Sequence, residues 1–122
     1  MAGEAIDILL VTSRETGRWV LPKGNIDDGE SADAAAAREA EEEAGASGAL
    51  GTRPIGSYRY AKRADDGSAN ELTVAVFPLR VRQLAAHWPE RKERTRKWFS
   101  RAEAAAAVEE EELRELIAGF AG

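Results

Sequence analysis

The chain has 122 residues, no cysteine and a net charge of −5, from 22 acidic and 17 basic side chains. That length suits one domain with a modest core, and the lack of cysteine excludes disulfides, thiolate metal sites and thiol catalysis. The acidic balance argues against nucleic acid as the main partner; with no run of 18 apolar residues and no basic leader before an apolar stretch, a soluble cytoplasmic protein is expected.

Residues 6–11 form an apolar run broken only by Asp7, read as a strand, and Thr12, Ser13 and Arg14 follow as a polar loop. Residues 18–21 are a second short strand halted by Pro22, after which Lys23 and Gly24 open a loop. Ser31 suits a helix N-cap and Gly45 a C-cap, and the alanines at 34–37 favour helix between them. Strand-like patterning returns around Ile55, Tyr58 and Tyr60, and Asp66-Gly67 lies in a predicted turn over residues 64–68. A long strand over residues 72–81 is expected next, with Thr73, Ala75, Phe77, Leu79 and Val81 on one face and Pro78 marking an edge or bulge. Trp98-Phe99 reads as no more than a strand end. Ser100 and Glu103 form a capping-box signature for a helix over 101–108, and Leu113, Leu116, Ile117 and Phe120 give a last helix over 110–120 an apolar stripe.

The chemistry concentrates in residues 24–46. Glu39, Glu42 and Glu43 stand three and four positions apart, which a helix turns toward one face. Carboxylates that close repel, and oxygen ligands of this kind suit a hard divalent cation; a plain solvated acidic face is the alternative. Ala37, Ala40 and Ala44 project opposite them and are expected to face the body of the protein. A second charged feature is the basic run RKERTRKWFSR at 91–101, read either as an anion-binding surface or as a solvated loop.

Counting through the first stretch gives Gly24, five residues, Glu30, seven residues, Arg38-Glu39, two residues, Glu42-Glu43, one residue and Gly45. Every polar and glycine position of the Nudix box is filled, and the chain resembles the Nudix hydrolase family. Ala40 and Ala46 depart from it, standing where larger aliphatic residues are usual. The resemblance implies an α/β (α+β) sandwich with a mixed β-sheet and the box as loop-helix-loop, in a single domain over 1–122. A further strand usually precedes the one at residue 6, so either the sheet is trimmed or the true start lies upstream.

The resemblance also implies hydrolysis of a diphosphate linkage with Mg2+ or Mn2+. Glu39, Glu42 and Glu43 would hold the metal, with the Gly24 carbonyl as a further ligand and Glu39 or Glu42 as the base. Arg38 would orient the carboxylates and Glu30 would anchor the loop, a simple ion pair being the alternative for each. Glu71 is a candidate extra ligand or base, weighed against an exposed strand-end charge. His87, beside Trp88 and Pro89, is given no metal role.

Residues 12–24 and 87–104 further resemble the diphosphoinositol polyphosphate and diadenosine polyphosphate hydrolases. That subgroup often has a glycine where Lys23 stands. The likeness gives a purpose to Arg14, Arg18, Lys23, Arg59, Lys62, Arg63, Arg94, Arg96 and Lys97, which would surround a small polyphosphorylated substrate; any one of them also reads as solvated surface. Nucleotide-sugar or RNA 5′-end pyrophosphohydrolysis, and a Nudix module that binds a nucleotide without cleaving it, are the rival functions. Monomer and homodimer stay open.

Overall fold

In chain order the computed structural model, which describes residues 6–63 and 66–121, contains β1 (Asp7–Thr12), β2 (Trp19–Val20), α1 (Ala32–Ala44), β3 (Ala46–Leu50), β4 (Gly56–Arg63), β5 (Ala69–Val76), β6 (Leu79–Leu84), β7 (Arg96–Ser100), α2 (Arg101–Ala107) and α3 (Glu111–Ala118). The class is α+β. The strands form three ladders, β2-β1-β7, β3-β6 and β4-β5, every pairing being antiparallel. This agrees with the expected α+β class, and among the described residues the strands lie in these three ladders with no parallel pair.

Three strands depart from the sequence expectation. The predicted strand over 72–81 is two, because Pro78 lacks the N–H a ladder needs. It separates β5, which pairs with β4, from β6, which pairs with β3. The inward face is corrected with it: Val74 and Val76 pack on the core, whereas Thr73 and Ala75 are exposed. β3 was not expected, since ASGAL has neither β-branched residues nor alternation. β7 is longer than the predicted strand end, pairing five residues with β1 from Asp7↔Ser100 to Val11↔Arg96.

The main core gathers Leu10, Tyr58, Phe99, Ala104, Val108, Leu113 and Ile117, joining β1 and β7 to the hairpin β4-β5 through α2 and α3. Burying one large aliphatic or aromatic side chain contributes about 1.5–3 kcal/mol, so this cluster is the main stabilising block. α2 begins with the anticipated capping box, Ser100 Oγ accepting from Glu103 N at 3.1 Å and Glu103 Oε1 from Ser100 N at 3.1 Å. A second cluster, Val11, Val20, Ala44 and Ala46, seats the C-terminal end of α1 on β1 and β2. There the small side chains of Ala44 and Ala46 let α1 and β3 approach the sheet closely. No helix among the described residues is long and apolar enough to cross a membrane.

Candidate functional site

α1 starts at Ser31, whose side chain accepts from Ala34 N, and ends at Gly45 in the left-handed conformation at φ 64°. Its buried residues are Ala35, Glu39, Ala40, Glu43 and Ala44. The helix therefore turns two glutamates inward beside the alanines, where the helical projection had set the two groups on opposite sides. Glu43 is 3 % exposed and Glu39 9 %. The inward face of α1 is thus partly acidic, and it lies next to the loop that precedes the helix.

Arg38 ties that loop to the helix. Its Nε donates to Glu30 Oε2 at 2.9 Å, Nη2 to Glu30 Oε1 at 3.0 Å and to the Asn25 carbonyl at 2.8 Å, and Nη1 to Glu39 Oε1 at 2.6 Å. Glu30 Oε1 in turn accepts from Asp27 N at 3.0 Å. These bonds, the Arg38 hydrogen bond first, hold the Glu30 carboxyl below its usual range. The Gly24 backbone lies against the Glu39 carboxylate so closely that a Cβ there would collide with it.

Glu43 is the most perturbed acid. Burial pushes it up to about 8, the adjoining Glu39 carboxyl pushes the same way, and the Arg94 guanidinium opposes them. Two buried carboxylates side by side need a proton or a cation to offset their repulsion. The helix worsens the conflict, because the C-terminal end of its dipole is negative and its last turn holds no basic residue. Glu42 differs from both: its side chain is 41 % exposed and its Oε2 stands 3.5 Å from Arg38 Nη1. Among the described residues no three His, Cys, Asp or Glu side chains converge as a metal cluster. The adjoining carboxylates of Glu39 and Glu43 nevertheless fit a hard divalent ion chemically, with the Gly24 backbone beside Glu39 and Glu42 on the solvent side.

An acid from outside the box that the structure brings to this place is Glu90, missed in the sequence because it stands next to the basic run. Its Oε1 accepts from Arg94 Nε at 2.7 Å, and its charge adds to the upward push on Glu43. Glu71 pairs with Ala61 on the β4-β5 hairpin and is exposed, two positions along β5 from Thr73 on the face away from Val74.

The basic residues read as a ligand cradle are largely engaged within the protein. Arg18 donates to both carboxylate oxygens of Glu110, at 3.2 and 2.7 Å. Arg59 pairs with Glu112 at 3.1 Å. Arg94 meets Glu90, Glu43 and the Thr12 carbonyl. Arg96 Nη1 donates to the Ala44 carbonyl at 2.8 Å while its guanidinium stacks on Trp88 at 3.9 Å. Lys23 lies over the Tyr60 ring at 3.8 Å, next in sequence to Gly24, and Lys97 lies 5.0 Å from the Phe99 ring centroid. Arg14 is 57 % exposed with only a 3.8 Å approach to Glu90. The side chains of Lys62 and Arg63 lie outside the described residues. His87 Nδ1 is 2.9 Å from Arg91 Nη1. An open cleft of about 720 Å³ runs beside Arg38, Glu41 and Glu42 toward Gln83, His87 and Trp88.

The α+β scaffold presents carboxylates on a loop-helix unit whose oxygen donors are of the class that suits a hard cation. Comparison with known proteins makes the class specific, since the family model described as the NUDIX domain matches residues 2–120. The chain belongs to the Nudix family. It is 34% identical over 123 residues to Nudix hydrolase 16, mitochondrial, of Arabidopsis thaliana, covering 98% of this chain and 68% of that protein. It is 35% identical over 96 residues to diphosphoinositol polyphosphate phosphohydrolase 3-alpha of Mus musculus, covering 76% and 54%. A third relative, a putative 8-oxo-dGTP diphosphatase of Bacillus subtilis, is 44% identical over 63 residues, covering 52% and 42%. The chain spans about two thirds of the first relative's length and about half of the other two or less.

Proposed function

We propose that this protein is a metal-dependent diphosphohydrolase that cleaves a phosphoanhydride linkage, using Mg2+ or Mn2+, in dinucleoside polyphosphates or diphosphoinositol polyphosphates. The observation that carries the reading is the buried pair Glu39 and Glu43, in contact with each other, with the Gly24 backbone against the Glu39 carboxylate. A divalent ion held there supplies positive charge to offset the phosphates and to acidify water. The protein's own residues do the remainder. Arg38 keeps the Glu39 carboxylate oriented, and Glu42, half-exposed at the edge of the cleft, takes the proton from the attacking water. Water oxygen bonds to phosphorus, the bridging P–O bond breaks, and its electrons leave with the departing phosphate.

Of the two substrate groups, the basic residues favour dinucleoside polyphosphates. Arg18, Arg59, Arg94 and Arg96 have acceptors within the protein, leaving Arg14, Lys23 and Lys97 as the more available described cations of the set. That is a small complement for a densely phosphorylated inositol. A linear polyphosphate reaching from Lys23 past Glu39 needs fewer charges, and the cleft leaves room for the group beyond it. A cytoplasmic location belongs to the same proposal.

The test is turnover of Glu42→Gln and Glu43→Gln in Mg2+ or Mn2+, each expected to fall at least about 100-fold. Unchanged turnover in either variant would refute the site. Release of phosphate or nucleotide from diadenosine polyphosphates, diphosphoinositol polyphosphates, nucleotide sugars and 5′-triphosphate RNA, measured side by side, decides the substrate. Tight nucleotide binding with no product from any of them would make the protein a binding module.

A further inference from the structure

We propose that Arg94 is a positioning residue that fixes the carboxylate of Glu43 from behind and does not contact substrate; this rests on the reading of Glu43 as a metal-holding residue. The Arg94 side chain is 10 % exposed and its three guanidinium nitrogens serve three different elements. Nε donates to Glu90 Oε1 at 2.7 Å, Nη1 donates to the Thr12 carbonyl at the end of β1 at 3.0 Å, and Nη2 stands 3.5 Å from Glu43 Oε1 on α1. A planar fork held by two hydrogen bonds cannot swing toward a ligand without breaking both. Its charge is therefore fixed relative to Glu43, whose side chain is only 4 % exposed.

The surroundings lock the fork in place. Thr12 N donates to the Thr95 carbonyl at 2.9 Å and Thr95 N to Thr12 Oγ1 at 2.8 Å, fastening the residue next to Arg94 to the end of β1. The same segment covers the end of α1. Glu90 N donates to the Glu42 carbonyl at 3.1 Å, Trp88 Nε1 to the Glu43 carbonyl at 3.0 Å, and Arg96 Nη1 to the Ala44 carbonyl at 2.8 Å. Main chain and side chain of Glu43 are thus held by one stretch, residues 88–96. At 3.5 Å the Arg94 contact is an ion pair longer than a strong hydrogen bond, so it orients Oε1 while leaving lone pairs of Glu43 for another partner. Without the fork Glu43 loses its fixed rotamer, and Glu90 loses its 2.7 Å hydrogen bond while its charge still adds to the repulsion on Glu43.

The experiment uses the full chain with Arg94→Lys and Arg94→Met. Mn2+ affinity is read by electron paramagnetic resonance of free Mn2+, and kcat and KM are measured at saturating Mn2+ on a diadenosine polyphosphate and on a nucleotide sugar. Both variants are expected to weaken Mn2+ binding and lower kcat by about 10- to 100-fold, the range for partners that orient metal ligands. The losses should be equal on both substrates, with KM within about twofold of wild type, because removing a contact made only through the ligand-holding residue leaves substrate binding intact. A rise in KM confined to the polyphosphate, with Mn2+ affinity unchanged, overturns the proposal in favour of direct substrate contact. Wild-type values for Mn2+ affinity and kcat in a folded variant overturn it as well. Arg94→Lys keeps the charge and carries the test if Arg94→Met does not fold. A wild-type protein that binds no Mn2+ instead overturns the function proposed above, and this role of Arg94 with it.

Discussion

Gly24 is held by a contact rather than by its backbone angle: no left-handed conformation is required of it, yet a side chain there meets the carboxylate of Glu39. Replacing it therefore separates catalysis from folding. Gly24→Ala is expected to displace Glu39 and lower kcat by about 10- to 100-fold, as displacement of a ligand-orienting group does. Because residue 24 lies exposed in a loop, the melting temperature should stay within a few degrees of wild type, roughly the scale of a surface substitution. Enzyme kinetics alongside thermal unfolding checks both halves, and a loss of stability without loss of kcat would contradict the contact as the reason for glycine.

At the scale of elements, α1 ends with Glu39, Glu41, Glu42 and Glu43 in its last two turns and no basic residue in the last, a poor arrangement for its dipole. The remedy comes from residues 88–96, which lead into β7 and bring Arg96 and Trp88 to the end of the helix. Gly45 makes that closure possible. Its φ is 64°, and a Cβ there would stand 2.9 Å from Arg96 Nη1 and 3.1 Å from Trp88 Cβ. Gly45→Ala is expected to cost at least about 1–2 kcal/mol from the left-handed conformation alone. A lower urea midpoint measures it; an unchanged midpoint would mean that the helix end rearranges freely.

Across the whole molecule, Arg18 at the edge of β2 and Glu110 at the start of α3 join the N-terminal sheet to the C-terminal helices. Burial raises the Glu110 carboxyl, but the Arg18 hydrogen bonds and charge outweigh it, and the net position is below the ordinary value of 4.5. A depressed folded-state value means stability present above pH 4.5 and lost as the pH falls through the folded-state value. Glu110→Gln should therefore unfold with a weaker acid dependence below pH 4.5 and be less stable at pH 7 by about 1 kcal/mol, the low end for a charge-assisted bond that solvent partly screens. Thermal melts from pH 3 to pH 7 test both signs. The site contributes on the same scale: Mn2+ at about 100 times its dissociation constant should stabilise the fold by about 2.7 kcal/mol, and a chelator should remove both that increment and the activity. A melting temperature indifferent to metal would count against an ion between Glu39 and Glu43.

Residues 24–46 were legible because their features are local. Ser31 caps its own helix, Gly45 ends it, and the spacing from Gly24 to Gly45 is a pattern within one loop-helix unit. The capping box at Ser100 and the stripe that buries Leu113 and Ile117 were legible for the same reason. β3 was not, because ASGAL has little strand propensity of its own and takes its conformation from the β6 ladder. The basic run at 91–101 was not legible in its detail either. Composition shows that cations are present, but which carboxylate or carbonyl each one meets depends on contacts such as Arg94 with Thr12, 82 residues apart. What the sequence determined by itself was the acidic helix, its caps and the family. Only the tertiary structure decided that Glu39 and Glu43 face inward while Glu42 faces solvent, and that Arg94 and Arg96 turn back on the helix, because burial and ion pairing are set by segments far apart in the chain.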